Sequence, residues 1–304
     1  MERDARMNKK NSLKKVFRRN VGYMYLLPWL IGFLVFKCYP FISSAVYSLT
    51  NYNLFKDNLQ FIGMQNYENI LNTSKYVKSF AVTFKYAFMT VPLKLIFALF
   101  IAYLLNFKIK GINVFRTVYY IPSILGGSVA IAVLWQFLFQ NEGLINMIFG
   151  VFGIPPVNWL GSPDHALFVI SLLRVWQFGS AMVVFLAALK GVPADLYEAA
   201  SIDGCSRPRQ FLSITIPMIS PVIFFNFVTQ LCQAFQEFNG PFVITNGGPR
   251  GSTTLISILI YQNAFKTYKM GLASAMAWLL FIIVATLTAI SFISQKYWVY
   301  YGDE

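Results

Sequence analysis

Long apolar runs separated by short polar segments dominate this chain. Six runs reach the roughly 20 residues that a helix needs to cross the hydrocarbon core of a bilayer. They lack the alternation of apolar and polar residues seen in barrel strands, and a helix satisfies its own backbone hydrogen bonds in lipid. The pattern therefore predicts an all-α, polytopic membrane protein with six transmembrane helices. The six predicted spans are approximately 21–46, 80–107, 115–139, 166–189, 214–238 and 271–293.

The composition agrees with a membrane protein. Hydrophobic residues make up 57% of the 304 positions and charged residues 12%, whereas soluble domains have about 45–50% and about 25%. A water-exposed surface of this size needs more charge than the chain supplies. The chain therefore needs an apolar solvent, and a bilayer provides one.

The basic residues predict how the spans are oriented. Formal net charge is +13, and eight Lys or Arg residues lie within 1–20. No aromatic-interleaved basic stripe of the kind that follows a phosphate backbone is present, so nucleic-acid binding is excluded. With the tail placed inside, 15 basic residues fall on the cytoplasmic side and 7 on the outer side, as the positive-inside rule requires. Both termini are therefore predicted to be cytoplasmic.

The predicted spans and their orientation give the chain three parts. A basic cytoplasmic tail covers 1–20, a six-helix transmembrane domain covers 21–296, and a short cytoplasmic tail covers 297–304. A cytoplasmic loop lies within the domain at 191–213. The segment 140–165 carries no basic residue and is predicted at the outer interface, as is the turn predicted by Asn-Gly-Gly-Pro within 245–249.

Several kinds of chemistry are excluded by residue content. Cys38, Cys205 and Cys232 are widely spaced and specify neither a disulfide framework nor a metal site. His165 is the only histidine, so a His-rich metal site is excluded. No G-x-x-x-x-G-K-[ST] motif occurs, so the chain cannot itself cradle the phosphates of ATP. No convergent catalytic group is evident, and the chain is not predicted to be an enzyme.

Charged residues inside the predicted spans are functional candidates, because charge is costly in lipid. Lys37 lies near the outer end of the first span, where a long side chain can reach the interface. Lys94 lies deeper, after Pro92 in the second span, and either forms a structural ion pair or lines a cavity. Arg174 in the fourth span has no such exit.

The cytoplasmic loop between spans four and five has the pattern of two short helices. Pro193 suits a first helical turn, because its missing N–H has no partner there. Residues at helical spacing follow, and Gly204 ends the helix by adopting a positive φ. Ser206 then begins a second helix. From the residues alone, the loop is either a helix-turn-helix that another protein grips or simply a compact connection.

A family resemblance distinguishes these readings. Glu198-Ala199-Ala200, followed by Gly204 and then Ile214-x-Ile-Pro217, resembles the EAA loop in membrane subunits of binding-protein-dependent ABC importers. The family's usual ending is I-x-L-P, so Ile216 is a conservative departure. Over about 25–294, the chain resembles sugar-importer permeases of the maltose and glycerol-phosphate type. The further matching segments are Leu27-Pro28-Trp29, 61–67, 115–122 and 245–249.

The resemblance implies a type I ABC importer permease fold and a set of partners. These are a second homologous permease subunit, which forms a heterodimer with this chain, two ABC ATPase subunits and an extracellular solute-binding protein. ATP and Mg²⁺ would be used by the ATPase, and this chain would bind no cofactor. The loop would be the coupling helix that docks on the ATPase, where Glu198 would engage a basic residue. The implied coupling residues are Glu198, Ala199, Ala200, Asp203 and Gly204.

Residues at helical spacing on one face of span four and one face of span five are candidates for the solute path. They are Leu173, Trp176, Gln177 and Ser180 on span four, and Gln230, Gln233, Ala234 and Glu237 on span five. From spacing alone, they make interhelical hydrogen bonds or line a path. The resemblance to the maltose permease implies that six of them match sugar-contacting positions, namely Leu173, Trp176, Gln177, Ser180, Gln230 and Ala234. It places Glu237 at another polar position near the cavity. Trp176 would stack on a sugar ring. Arg174 either favours an acidic sugar or is held away by packing.

The expected function is ATP-driven import across a bacterial cell membrane. This chain would form the translocation path for an oligosaccharide or related sugar. An importer for another solute, such as a glycerol-phosphate derivative, is the first alternative. An ion-coupled secondary transporter is a second alternative and would need carboxylates inside the membrane. Glu237 is the one candidate, and it lies near the end of a span.

Overall fold

The computed structural model describes residues 25–56, 59–107 and 110–302. The basic tail 1–20 and the last two residues of the 297–304 tail lie outside the described residues. Within the described part, the chain is helical and has no β-strand beyond two isolated bridges. The predicted all-α class is confirmed.

Fourteen helices follow one another in the described residues, named α1 to α14 in chain order. The first seven are α1 Tyr25–Ser48, α2 Gln65–Asn72, α3 Ser74–Leu104, α4 Ile112–Leu125, α5 Val129–Leu138, α6 Leu144–Val151 and α7 Pro163–Trp176. The remaining seven are α8 Gly179–Gly191, α9 Ala194–Ile202, α10 Arg207–Met218, α11 Ser220–Phe235, α12 Asn239–Ile244, α13 Ile256–Tyr261 and α14 Met270–Ser294.

Three helices, α1, α3 and α14, are individually long and apolar enough to cross a membrane. The other three predicted spans are bent pairs of helices. The bends are 104° between α4 and α5, 47° between α7 and α8, and 67° between α10 and the segment Ser220–Ile244. Counted as one span each, the pairs bring the total to the predicted six.

Local sequence explains why these spans break. Gly126-Gly127 follows α4, and the Ser128 side chain caps α5 by accepting a hydrogen bond from the Ala130 amide at 3.2 Å. Pro221 stands in the first turn of α11, so it has no N–H to donate back to α10 and the two helices cannot continue as one. Treating these spans as single helices was therefore wrong at the breaks, although each span was placed correctly along the chain.

Helix α3 is the central element of the bundle. It packs against α7, α8 and α11. Its inward face carries Tyr86, Val91 and Ala98, which are almost completely buried in the main apolar core. Helix α1 packs on α14 but leaves large apolar side chains such as Trp29 and Ile42 exposed. An exposed apolar surface of this kind is what lipid contact requires.

The chain direction places two groups of loops at opposite ends of the bundle. Helices α7 and α8 together run from Pro163 to Gly191, and α9 and α10 follow immediately. The segment Ser220–Ile244 runs back toward the end where α7 began. The predicted cytoplasmic loop 191–213 and the two segments predicted outside, 140–165 and 245–249, therefore lie at opposite ends of the same spans.

Candidate functional site: a polar cluster within the bundle and an exposed loop helix

Arg174, in the last turn of α7, is the centre of a polar cluster. Its Nη1 donates to Gln177 Oε1 at 3.1 Å and its Nη2 donates to Gln233 Oε1 at 2.9 Å. Its Nε lies 3.4 Å from Glu237 Oε2 in an ion pair. One guanidinium thus connects the end of α7 to Gln233 in α11 and to Glu237, which lies two residues after the end of α11.

The two charges of this cluster compensate each other inside an apolar bundle. The Arg174 side chain is 21% exposed and that of Glu237 is 14% exposed. An isolated charge here would be costly, whereas an ion pair with further hydrogen bonds is tolerated. Glu237 Oε1 also accepts from the Gly240 amide at 3.3 Å. The carboxylate therefore fixes the entry into α12 as well as the position of Arg174.

Gln177 lies at the break between α7 and α8 and joins it to a second break. Its Nε2 donates to the carbonyl of Gly126, between α4 and α5, at 2.9 Å. Its own carbonyl accepts from Ser123 Oγ at 3.2 Å, and the same hydroxyl oxygen accepts from the Ser180 amide at 3.0 Å. The broken segments of spans three and four are therefore hydrogen-bonded to each other beside Arg174.

Lys94 forms a hydrogen bond to a neutral amide instead of an ion pair. Its Nζ donates to Gln230 Oε1 at 2.7 Å, and the two residues are 3% and 7% exposed. This contact joins α3 to α11 within the core. Of the two roles open for Lys94 from the sequence, the structural one fits this contact, with an amide in place of the expected carboxylate.

The remaining candidates on these faces have different surroundings. Leu173 and Ala234 are buried in the apolar core, whereas Ser180 and Gln233 are exposed. Trp176 is partly buried, and its ring lies 5.8 Å from that of Trp135 at an angle of 38°. One face of a span thus supplies both core contacts and exposed polar groups.

A cavity of about 320 Å³ opens beside the ion pair. Its walls include Arg174, Gln233 and Glu237, which the sequence indicated, and also Gln236 and Asn239, which sequence reasoning missed. Both missed residues are polar and lie within two positions of Glu237, so the local run of polar residues was the available signal. The structure brings Arg174, Gln177, Gln233 and Glu237 together, and it leaves Ser180 and Gln230 outside the lining of this cavity.

The loop predicted from Pro193 onward is a helix-turn-helix. Pro193 is the residue before α9 instead of a member of its first turn, and Gly204 has a φ of +75° directly after the helix, as predicted. The Cys205 amide donates to the Ala200 carbonyl at 2.9 Å and closes the turn. Ser206 precedes the second helix, as predicted.

Side-chain hydrogen bonds hold α9 against α10. The hydroxyl groups of Tyr197 and Thr215 lie 2.7 Å apart. Gln210, which is 8% exposed, donates to Ser201 Oγ at 3.0 Å and to the Cys205 carbonyl at 3.1 Å. The loop is consequently held together by its own side chains.

The outer face of α9 is open. None of its residues is buried; Glu198 and Ala199 are exposed, Ala200 is partly exposed, and Asp203 and Gly204, which follow it, are exposed. Ile202 is 87% exposed. Helix α9 is thus held on one side by α10. Its other side presents an acidic residue, small residues and an exposed isoleucine, and such a surface is suited to docking against another protein.

No group of three or more His, Cys, Asp or Glu side chains is placed to hold a metal ion in the described residues. A bent-helix bundle with a polar cluster inside and an exposed loop helix at one end defines a membrane permease of the type I ABC importer class. The chain belongs to the family of binding-protein-dependent transport system inner membrane components, whose sequence profile matches residues 62–299. This is a family of transport components and not of enzymes.

Relatives of known type cover almost the whole chain. The probable ABC transporter permease protein YesP of Bacillus subtilis is 44% identical over 98% of this chain and 97% of its own length. The trehalose/maltose transport system permease protein MalF of Thermococcus litoralis is 35% identical over 93% of this chain and 96% of its own length. The resemblance inferred from the EAA loop is confirmed.

Solved structures confirm the fold. A bacterial ABC transporter involved in import of the acidic polysaccharide alginate has a chain that matches with a TM-score of 0.81 at 21% identity, covering 94% of this chain and 98% of that one. A complex of the alginate transporter with its pentasaccharide-bound periplasmic protein matches with a TM-score of 0.79 at 21% identity, covering 91% and 94%. The predicted type I importer fold is therefore correct.

Proposed function

We propose that this chain forms part of the translocation path for an oligosaccharide or related sugar in an ATP-driven importer. Support comes from a relative named for trehalose and maltose transport, which is 35% identical to this chain. The observation that carries the proposal is the cluster of Arg174, Gln177, Gln233 and Glu237 beside a cavity of about 320 Å³. Amide and charged groups provide the donors and acceptors that sugar hydroxyls need.

The assembly would contain four kinds of subunit. An extracellular solute-binding protein delivers the sugar, a second homologous permease completes the path, and two ABC ATPase subunits supply the energy. Their ATP and Mg²⁺ are bound by the ATPase, since this chain carries no phosphate-cradling motif. Membership of a family of binding-protein-dependent transport components supports the first of these partners.

In this proposal, the exposed face of α9 is the contact with the ATPase. Glu198 engages a basic group there, and Ala199, Ala200, Asp203 and Gly204 leave room for close approach. Because α9 is tied to α10 through Tyr197 and Thr215, movement of the ATPase reaches span five directly. Nucleotide binding then biases the spans toward one orientation by linkage.

The proposed location is the bacterial cell membrane, with both termini in the cytoplasm. The support is the distribution of basic residues, 15 on the inner and 7 on the outer side. The docking helix falls on the inner side in this arrangement, where ATP is available. The cavity beside Arg174 lies between the two membrane faces.

A glycerol-phosphate derivative is the second candidate solute. The observation that favours it is the Arg174 guanidinium in the wall of the cavity. A guanidinium binds phosphate oxygens well. All three of its nitrogen atoms, however, already have partners in Gln177, Gln233 and Glu237. An anionic solute would have to displace the Glu237 carboxylate, which favours a saccharide.

The test is uptake by the reconstituted importer. The chain is assembled with the permease, ATPase and binding protein encoded beside it, and the proteoliposomes receive labelled maltose, trehalose, an alginate disaccharide or glycerol 3-phosphate. We expect uptake of a saccharide that requires both ATP and the binding protein. Preference for glycerol 3-phosphate would support the second candidate. Uptake by this chain alone, driven by an ion gradient, would overturn the importer proposal.

A further inference from the structure

The two segments predicted to lie outside the membrane meet in one pocket. Residues of 136–161 form one wall and residues of 244–249 form the other, around a volume of about 440 Å³. Ligand pockets for small molecules range from about 300 to 1,000 Å³. This pocket is separate from the cavity beside Arg174, since the two share no lining residue.

The pocket has a neutral, amide-rich lining. Gln136, Gln140, Asn141 and Asn158 contribute side-chain amides, the partly exposed Leu160 and Pro249 contribute apolar groups, and no charged side chain lines it. The side-chain amides of Gln136, Gln140 and Asn141 make no hydrogen bond to other described residues. Free amides offer both donors and acceptors, and the aliphatic groups offer an apolar surface. Neutral polyhydroxylated molecules require this combination.

The wall formed by 140–159 is held by one buried side chain. Asn146, 6% exposed, donates to the carbonyls of Asn141 at 3.0 Å and Val157 at 2.9 Å. Its Oδ1 accepts from the Val157 amide at 3.1 Å and from Trp159 Nε1 at 2.9 Å. A segment fixed at both ends loses little entropy when it binds a ligand.

The opposite wall is held by threonine hydroxyls. Thr253 is fully buried and donates to the Gly248 carbonyl at 2.6 Å, and its Oγ1 lies 2.6 Å from that of Thr245. Asn246 and Gly247 both have positive φ, and they form the turn between Thr245 and Gly248. Both walls are therefore preorganised.

The position of the pocket relates it to the central cluster. Ile244, in its lining, is the last residue of α12, and Glu237 lies two residues before that helix begins. The docking helix α9 lies at the other end of the same spans. A molecule that enters from the end opposite the ATPase contact meets this pocket before it reaches Arg174.

We propose that this amide-lined pocket is an entry subsite for saccharide, occupied after the binding protein releases the sugar and before the sugar reaches the Arg174 cluster. The inference rests on the proposed function and adds a second binding site to it. Gln136 and Gln140 are the hydrogen-bonding residues of the subsite, and Leu160 and Pro249 provide its apolar surface.

The experiment compares Gln136→Leu and Gln140→Leu, combined in one chain, with the wild type in the reconstituted importer. Gln65→Leu is the matched control, because Gln65 is an exposed amide on the predicted outer side that does not line the pocket. Two quantities are measured with binding protein loaded with labelled maltose or trehalose. One is the uptake rate at saturating binding protein, and the other is the binding-protein concentration that half-maximally stimulates ATP hydrolysis.

We expect the uptake rate of the double variant to fall about tenfold, as expected for the loss of one or two hydrogen bonds. The half-maximal binding-protein concentration should stay at the wild-type value, and Gln65→Leu should change neither quantity. Wild-type uptake by the double variant would overturn the subsite. A raised half-maximal concentration would also overturn it, because the pocket would then receive the binding protein itself. Absence of saccharide uptake by the wild type would instead remove the proposed function on which the subsite rests.

Discussion

The hydroxyl oxygen atoms of Tyr197 and Thr215 lie 2.7 Å apart and join the loop helix α9 to α10. Thr215 is 3% exposed and Tyr197 is partly buried, so the contact lies where the two helices meet and not on the open face of α9. Since α10 leads directly into α11, this contact lies between the exposed docking surface and the span that carries Gln233 and Glu237.

Removal of this hydroxyl pair should weaken energy coupling. Tyr197→Phe leaves Thr215 without its partner at a cost of about 1 kcal/mol, and we expect less sugar transported per ATP hydrolysed. Simultaneous replacement of Thr215 by Val should cause no further loss, because both changes remove the same contact. Tyr301→Phe, at an exposed hydroxyl, is the control. Equal and additive losses from the two single changes would contradict this role.

Reversal of charge at Glu198 should prevent productive docking of the ATPase. Its side chain is exposed and makes no intramolecular ion pair among the described residues. Glu198→Arg should therefore leave the fold intact while it abolishes ATP-driven uptake or releases the ATPase during purification. Glu142→Arg, at an exposed acid on the predicted opposite side, should keep normal uptake. Full activity of Glu198→Arg would remove α9 as the coupling surface.

The Lys94–Gln230 contact predicts an unequal pair of mutational effects. Gln230→Leu leaves a buried amine without its acceptor, which costs more than loss of the hydrogen bond itself. Lys94→Met removes the buried amine and leaves an amide, so its effect should be smaller. The double variant should recover part of the stability lost in Gln230→Leu. Thermal unfolding of the purified chain in detergent measures all three, and equal losses from the two single variants would contradict the argument.

Neutralisation of Glu237 should change the charge preference for solute. Glu237→Gln removes the carboxylate 3.4 Å from Arg174 Nε and leaves the guanidinium without its counter-charge. We expect the ratio of alginate-disaccharide to maltose uptake to rise by about tenfold or more, because an anionic sugar can then pair with Arg174. Combining this change with Arg174→Gln should return the ratio toward the wild-type value. An unchanged ratio in Glu237→Gln would place the ion pair outside the solute path.

Close packing of α4 against α8 predicts a local intolerance of side chains. A Cβ at Gly179 would lie 2.6 Å from the Tyr119 carbonyl oxygen and 2.9 Å from the Tyr120 Cα. Gly179→Ala must therefore shift backbone, at a cost of about 1–3 kcal/mol. Gly191→Ala, at the other end of α8, meets nothing within 4 Å and should not destabilise the protein. Unfolding midpoints in detergent distinguish the two variants.

Much of the architecture follows from hydropathy and a few motifs. The six spans and the two-helix loop ending at Gly204 were predicted from the sequence, and the structure agrees with them. The breaks within spans three, four and five were not predicted. Hydropathy measures the average transfer of a segment into lipid and does not report the direction of its backbone. The Gly126-Gly127 pair and Pro221 were visible, but their effect depends on the hydrogen-bond partners that the fold supplies.

The candidate site was predicted in part. Arg174 and Glu237 were recognised separately, because charges inside spans are few, but their pairing joins residues 63 positions apart in sequence. The partner of Lys94 is an amide, which charge counting cannot identify. Ser123 and Gly126 were missed because one contributes a lone hydroxyl and the other a backbone carbonyl, and only the fold brings these groups next to Gln177.

The hydrogen bonds around Gln177 have a mechanical consequence. The interruptions of spans three and four lie side by side, and Gln177, Ser123 and Gly126 bridge them. At an interruption the helical hydrogen bonds are already absent, so reorientation of one half-helix relative to the other breaks none of them. The two breaks share one set of hydrogen bonds, so the orientation of α8 relative to α7 is coupled to that of α4 relative to α5.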